Sequence, residues 1–363
     1  MLSFALQMLK IIRIALFPFS ILYGLIILIR NIFYDFNVLQ SHKFKVPIIS
    51  VGNLVAGGTG KTPMTEYLIN LLKDEYKIAT LSRGYGRKTK GFIVAGHHVK
   101  SILIGDEPKQ YKTKYPDIIV AVGEKRVDAI NAILKNYHPE IILLDDAYQH
   151  RAVVPGISIL LFDYSTIFKP DFILPTGNLR EWKRGKNRAD IIVITKCPND
   201  LSPQERINIT SNIIPKSTQK LFFSNVNYSD LMLYNANGIA KSSLSINDLK
   251  SYTVLLLTGI ANPKPLKVHI TNLSKEVITL SFNDHHVYAH EDVININQRY
   301  KSITNPNKII ITTEKDLMRL SDLSNDFLGN IMPIYYIPIS TKFFMEDENE
   351  FNKYIINYVR NNK

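Results

Sequence analysis

Beyond an apolar N-terminal stretch, the chain alternates short runs of Ile, Val and Leu with longer amphipathic segments. PIISV, KIATLS, DIIVAV, EIILLDD, ISILLFD and DIIVIT are apolar throughout rather than at every second position. That pattern marks strands covered on both faces, as in a parallel sheet flanked by helices. Helix-sized stretches lie between them, for example 62–74 and 124–137. The rhythm predicts an α/β fold whose ligands sit at the carboxyl ends of parallel strands. From about Ser224 to Lys250 the chain is polar, rich in Asn and Ser and less periodic, which predicts a linker region. TVLLLTG, VITLSF and KIIITT then offer strands for a second, smaller α/β domain, and 346–360 a closing helix. The expected organisation is an anchor over 1–35, a nucleotide-binding domain over 36–225, and the linker with a C-terminal domain over 226–363.

The N-terminal stretch from Ile14 to Ile29 carries no charge, with Lys10 and Arg13 before it and Arg30, Lys43 and Lys45 after it. It reads as a membrane segment. A full span takes roughly 20 apolar residues, so crossing and shallow burial both fit this run, and Pro18 is a candidate kink. No small-x-small cleavage site follows, which favours an uncleaved anchor over a signal peptide. Basic flanks suit anionic lipid headgroups.

Composition narrows the classes. The 363 residues suffice for two domains with sizeable cores, and 45% hydrophobic with 21% charged residues is a globular balance. A formal net charge of +12 calls for acidic partners: nucleic acid, an anionic membrane or a phosphorylated substrate. No helix-turn-helix, zinc-finger or ribonucleoprotein signature accompanies the charge, which argues against nucleic acid. The single cysteine, Cys197, excludes an intramolecular disulfide and fits a reducing compartment.

The sharpest chemical signal is VGNLVAGGTGKT, in which PIISV runs into a glycine-rich loop from Val55 through Ala56, Gly57, Gly58, Thr59 and Gly60 to Lys61 and Thr62. This is a phosphate-binding loop. Glycines let backbone N–H groups curl around an oxyanion, Lys61 reaches terminal phosphates, and the Thr62 hydroxyl can ligate Mg²⁺. The helix beginning near Thr62 aims its positive end at the same phosphates. The strict pattern places glycine at position 55, where this chain has valine. Deviant-Walker switch or transport ATPases share G-G-x-G-K-T but carry lysine before the two glycines, where this chain has Ala56.

Asp145 and Asp146 end the strand EIILLDD at the ligand edge, where one carboxylate usually completes a Mg²⁺ site. Asp106 and Glu107 in IGDEPKQY are either a working carboxylate pair or a solvated turn. FNDHHVYAHED gathers His285, His286 and His290 with Asp284, Glu291 and Asp292, which fits a general base, a metal site or a plain surface loop. Basic residues cluster in LSRGYGRKTKG (Arg83, Arg87), in GEKR (Arg126) and in GNLREWKRGKNR (Arg180, Lys183, Arg184). Such loops suit phosphate oxygens.

Taken in order, VGNLVAGGTGKTP, SRGYGR, GDEP, GEKR, LLDDAYQHR, LPTGNLREW, FNDHH and TTEKDLMRL resemble the tetraacyldisaccharide 4′-kinases of lipid A biosynthesis over nearly the whole chain. The resemblance implies transfer of the γ-phosphate of ATP to the 4′-hydroxyl of a tetraacyldisaccharide 1-phosphate, the lipid A precursor, forming lipid IVA at the cytoplasmic face of the bacterial inner membrane. It implies a P-loop NTPase-like core and a second α/β domain joined by a short β linker, with no obligate protein partner. Val55 through Thr62 would hold ATP phosphates, and Thr62, Glu107 and Asp145 would ligate Mg²⁺. Asp106 would pair with His285 to activate the sugar hydroxyl, with Lys61 and Asp146 beside the reacting phosphate. Arg83, Tyr85, Arg126, Gln149, His150, Asn178, Arg180 and Glu181 would handle the disaccharide. Lys315 and Asp316 match a motif to which the resemblance gives no role.

Overall fold

The computed structural model describes residues 13–234, 243–323 and 333–362, and the chain divides into two compact units. Unit one takes the described residues of Met1–Ser82, Lys125–Val226 and Thr341–Lys363; unit two takes those of Arg83–Glu124 and Asn227–Ser340. Lys10, at the head of the expected anchor, and part of the expected linker, 235–242, lie outside the described residues.

In chain order, α1 (Phe17–Asp35) precedes β1 (Ile48–Asn53), α2 (Lys61–Leu72) and β2 (Ile78–Ser82). An excursion into unit two follows: β3 (Ile93–Val94), α3 (Ser101–Ile104), α4 (Asp106–Lys114) and β4 (Ile119–Val122). Unit one resumes with α5 (Arg126–Tyr137), β5 (Ile141–Asp145), β6 (Ile157–Asp163), β7 (Ile191–Thr195), α6 (Pro203–Ile213) and β8 (Lys220–Tyr228). Then come β9 (Leu231–Leu233), β10 (Ser243–Leu244), β11 (Thr253–Thr258), α7 (Lys264–Leu273), β12 (Glu276–Ser281), α8 (His290–Lys301), β13 (Lys308–Thr313), α9 (Glu314–Leu320) and β14 (Ile334–Ile337). β15 (Ile339–Phe343) and α10 (Met345–Asn361) close the chain.

The sheet of unit one runs β8-β7-β6-β1-β5-β2 with every one of these pairs parallel. β1 lies between β5 and β6, so the loop that follows it opens among the carboxyl ends of its neighbours. All six residues of β1 and all five of β5 and β7 are buried, as their unbroken apolar runs predict. In unit two, β14, β13, β11 and β12 are parallel, and β9 and β10 extend the β14 edge antiparallel. Here alternate residues feed two cores: Val254 and Leu256 pack with Ile309 and Ile311 on one face, Leu255 and Leu257 with Ile310 on the other. A strand filling two cores cannot show polar alternation.

Pro18 occupies the first turn of α1, where a missing N–H breaks no helical bond, and residues 13–15 are helical ahead of a turn at Leu16, so the helical stretch is interrupted just before the proline. Two features differ from expectation. The polar stretch read as a less periodic linker holds the end of β8, then β9, β10 and a 3₁₀ turn at Ile246–Ser251, strands that the resemblance's β linker allows and composition alone did not. The division into units is also discontinuous. The 83–124 excursion joins unit two because α4 packs on α9, with Lys109 Nζ donating to Met318 O at 2.7 Å and to Asp322 Oδ1 at 2.7 Å. The closing helix joins unit one, where the Tyr67 hydroxyl donates to Asn352 Oδ1 at 2.8 Å and the rings of Phe222 and Phe343 pack on Phe351.

α1 is docked on unit one through the small residues Ser20 and Gly24 and through polar contacts at Arg30 and Asn31. The Ser20 hydroxyl donates to Thr176 Oγ1 at 2.7 Å, Trp182 Nε1 to Gly24 O at 3.2 Å, Arg30 to Gln149 O at 3.0 Å and Arg151 to Asn31 O at 2.7 Å. A Cβ on Gly24 would stand 3.0 Å from the Trp182 ring. The other faces of the helix leave Phe19, Ile21, Leu22, Leu25, Ile26, Leu28 and Ile29 exposed.

Candidate active site

β1 delivers the chain to the glycine loop, and the loop is braced from both sides. Asn53, the last residue of β1, donates from Nδ2 to Thr59 Oγ1 at 2.9 Å and to Gly57 O at 3.3 Å. On the other side the segment 178–180 forms a short bridge: Ala56 N donates to Asn178 O at 2.7 Å, Arg180 N to Leu54 O at 2.7 Å, and Val55 pairs with Leu179. Position 55 therefore has no need of glycine, since its backbone is bridged and outside the left-handed region. Gly57 and Gly60 do need it, with φ of 128° and 87°. Nothing lies within 4 Å of a Cβ built on Gly57 or Gly58, so both glycines face open space.

The strand ends beside the loop carry the charges. Asp146, one residue past β5, sits at φ 49° with Oδ1 2.7 Å from Arg180 Nη1 and 3.6 Å from Lys61 Nζ. Burial would raise the Asp146 carboxyl, but the Lys61 and Arg180 cations more than offset it and hold the group below the usual range. At the end of β7, the Thr195 hydroxyl donates to Thr59 O at 2.8 Å, and Lys196 Nζ bonds Gly58 O and lies 2.7 Å from Asp163 Oδ2. Gln149 and Glu181 support the same edge: Gln149 Nε2 donates to Asn53 O at 2.7 Å and to Glu181 Oε1 at 3.0 Å. Glu181 is 2% exposed and also accepts from Arg188 at 2.8 Å and from Asn31 at 3.3 Å. Thr62 and Asp145 are buried oxygen donors at the loop and at the end of β5. Their chemistry suits a hard cation such as Mg²⁺, which takes one or two protein oxygens and completes its shell with phosphates and water. Among the described residues, no three His, Cys, Asp or Glu side chains gather as a self-sufficient metal site.

Unit two holds a second constellation. GDEPKQY is a helix: Asp106 and Glu107 fill the first turn of α4, and Lys112 and Lys114 the last, complementing the helix dipole at both ends. The loop at Gly84 packs closely on the end of α3, since a Cβ on Gly84 would stand 2.6 Å from Ile104 O. His285 Nδ1 lies 3.3 Å from Asp106 Oδ2. The hydrogen bond to Asp106 raises the His285 pKa, against burial and the Arg319 cation, with Asp284 adding to the rise. With the Nδ1 proton assigned to the Asp106 bond, Nε2 is the basic nitrogen. His285 stands at φ 58°, and the exposed Tyr85 ring lies 5.2 Å from its imidazole. Lys315 Nζ donates to Glu107 Oε1 at 2.6 Å, and although burial raises the Glu107 carboxyl, Lys315 brings it below its ordinary value.

The model of the tetraacyldisaccharide-1-P 4′-kinase (LpxK) family matches residues 12–360. The chain belongs to that family. The tetraacyldisaccharide 4′-kinase of Flavobacterium psychrophilum is 46% identical over 352 residues, covering 96% of this chain and 97% of that one. That of Bacteroides thetaiotaomicron is 42% identical over 356 residues, covering 96% and 93%. The crystal structure of LpxK from Aquifex aeolicus in complex with ATP superposes with a TM-score of 0.71 at 30% identity, covering 96% of this chain and 99% of that one. The P-loop NTPase-like fold expected from the sequence is the fold of this family member.

Within each unit the expected residues separate into groups. Unit one brings together the loop, Asp145, Asp146, Gln149, Asn178, Arg180 and Glu181. The Gln149 amide and both Glu181 oxygens are committed to protein partners, and Arg126 is buried at the start of α5. Asn178 contributes to the loop through its backbone. Unit two brings together Asp106, His285 and Tyr85, with Arg83 exposed on the same loop as Tyr85. Asn53, Arg188 and Arg319 were not singled out by sequence reasoning. Asn53 is the residue before the loop, and Arg319 stands three residues after Asp316 on α9, a spacing that pairs side chains on one helix face.

Proposed function

We propose that this chain is a membrane-surface kinase that transfers the γ-phosphate of ATP to the 4′-hydroxyl of a tetraacyldisaccharide 1-phosphate. The observation that carries the reading is the hydrogen-bonded Asp106–His285 pair in a family member that also holds an open phosphate loop. A nucleotide switch needs the loop; a group that accepts the proton of an alcohol is what a kinase adds.

In this reading the backbone N–H groups of 55–60 and the start of α2 bind the ATP phosphates. Lys61 balances the γ-phosphate, and Arg180 and Asp146 fix the lysine's surroundings. Thr62, Asp145 and Glu107 are the oxygen donors assigned to Mg²⁺, which when bound offsets charge on the phosphates. His285 Nε2 takes the hydroxyl proton, while Asp106 orients the ring and stabilises the imidazolium. Arg83, Tyr85 and Arg180 offer a guanidinium, a ring and a second guanidinium to the disaccharide and its phosphate.

α1 supplies the location. Its 19 residues are long enough to cross a bilayer, yet it is held on unit one at positions from Ser20 to Asn31, so it lies in the surface of the membrane with its other faces in lipid. A site beside such a helix suits an acylated substrate at the cytoplasmic face of the bacterial inner membrane.

The test is incubation with labelled ATP, Mg²⁺ and a monophosphorylated acylated disaccharide. Lipid-dependent transfer of label supports the kinase. Hydrolysis without transfer supports a switch ATPase instead, and binding without either reaction supports a nucleotide sensor.

A further inference from the structure

The motif TTEKDLMRL places its arginine where the mechanism above has no use for it, yet Arg319 is among the most heavily bonded side chains of unit two. Its Nε donates to Asp106 Oδ2 at 2.8 Å, and Nη2 stands 2.7 Å from the same oxygen and 3.2 Å from His285 Nδ1. Its Nη1 donates to Gly259 O at 2.8 Å and to Asp316 Oδ1 at 3.1 Å. The guanidinium is thus clamped from behind while its front grips the carboxylate.

The clamp is itself anchored. Asp316 is fully buried on α9 and receives Gly259 N at 3.0 Å, the Thr313 hydroxyl at 2.7 Å and the Tyr288 hydroxyl at 3.2 Å. Thr313 caps α9 by accepting from Asp316 N at 3.1 Å. The chain of contacts runs from β11 and β13 through Asp316 to Arg319, then to Asp106 on α4 and His285. Asp106 and His285 are 179 positions apart, and Arg319 donates to Asp106 while its guanidinium stands 3.2 Å from the His285 nitrogen that faces the same carboxylate.

We propose that Arg319 is a positioning residue for phosphoryl transfer, holding Asp106 and His285 in one fixed geometry from a platform built by Asp316, Tyr288 and the Gly259 backbone. The proposal rests on the reading of Asp106 and His285 as the proton-accepting pair. A planar fork with donors at fixed angles can serve Asp106, Gly259 O and Asp316 at once, which an ammonium on a flexible stem cannot. With one cation already on the inner side of Asp106, the carboxylate orients the imidazole and leaves the proton to His285 Nε2. Asp316 thereby acquires a function: it is the counter-charge that lets a buried arginine stand beside the pair.

The experiment compares Arg319→Met, His285→Ala and the double variant in the lipid-kinase assay, measuring kcat and the KM for ATP separately and melting temperature in parallel. Arg319→Met is expected to lower kcat by about 10- to 100-fold, short of the full contribution of a general base, with KM for ATP unchanged. In the His285→Ala background the same change is expected to cost less than about 3-fold, because an interaction acting through His285 has nothing left to act on. Tyr288→Phe, which removes one of the bonds to Asp316 and leaves the ion pair intact, gives a folded control with kcat lowered only a few-fold. Equal losses from Arg319→Met in both backgrounds would overturn the positioning role. If Arg319→Met does not fold, Arg319→Lys replaces it in the same cycle and is judged by the same criterion. Full activity of His285→Ala would instead overturn the reading of the pair.

Discussion

Glu181 offers the clearest separation between a residue that touches substrate and one that builds the site. Its carboxylate is buried, one oxygen accepting from Arg188 and Gln149 and the other from Asn31 of α1. Glu181→Gln keeps the shape and one acceptor but removes the charge, leaving Arg188 beside the Tyr148 ring without its carboxylate. Breaking a fully buried pair costs about 3–5 kcal/mol. Arg188 is about a quarter exposed, so solvent screens part of that and the expected loss is about 2 kcal/mol. For a unit of this size the loss corresponds to a fall in melting temperature of roughly 4–8 °C. The assay is calorimetry of the purified protein with kinase kinetics on the same samples; Glu181→Gln/Arg188→Gln, which removes both charges, is expected to recover part of the stability. An unchanged melting temperature with a raised KM for the lipid acceptor would refute the structural role and place Glu181 on the substrate.

Other variants address the remaining groups. Lys61→Met removes the cation 3.6 Å from Asp146 and is expected to abolish transfer, on the order of 10³-fold in kcat, checked with saturating ATP. Because Asp106 raises the His285 pKa above its ordinary 6.5, the base is protonated over a wider acid range, and kcat is expected to fall with decreasing pH along a limb whose midpoint lies above 6.5; a midpoint below 6.5 would contradict the assignment. Burial pushes the Cys197 thiol up to about 12, so it is expected to resist alkylation at pH 8 in the native protein and to react on unfolding, followed by mass spectrometry. Gly24→Leu drives a side chain into Trp182 and Ile173 and is expected to detach α1 from unit one, read as new protease cleavage between α1 and β1.

The parts of this protein legible in its sequence are those that a few neighbouring residues determine. The strand runs and the loop 55–62 are local patterns, and the placement of Asp146 beside the loop followed from parallel strands ending on one edge. GDEPKQY was ambiguous because a helix of nine residues opening on Asp-Glu-Pro has the composition of a turn; what makes it a helix is packing on α9, which no local pattern records. Asp106 and His285 came together only through the family resemblance, and Arg319 not at all, since its ligands are drawn from Asp106, Gly259, His285 and Asp316. The compact units differ from domain limits read along the sequence for the same reason. A boundary sought as a shift in composition cannot find an excursion that leaves one unit for the other at Arg83 and returns after Glu124.

In the proposed mechanism the two clusters would solve different halves of one electrostatic problem. Unit one would meet phosphate with Lys61 and Arg180, both of which stand beside Asp146. Unit two would meet the hydroxyl proton with His285, whose partner carboxylate is bonded by Arg319. In each case hydrogen bonds and neighbouring cations hold the carboxyl below its ordinary range despite burial, so in the proposed mechanism neither Asp106 nor Asp146 would compete for the proton released in transfer. The division also makes the two halves separable by mutation. Changes at Lys61 should alter nucleotide binding and transfer together, whereas changes at His285 or Arg319 should slow transfer and leave ATP binding intact, since the bonds that link His285, Asp106 and Arg319 are made within unit two.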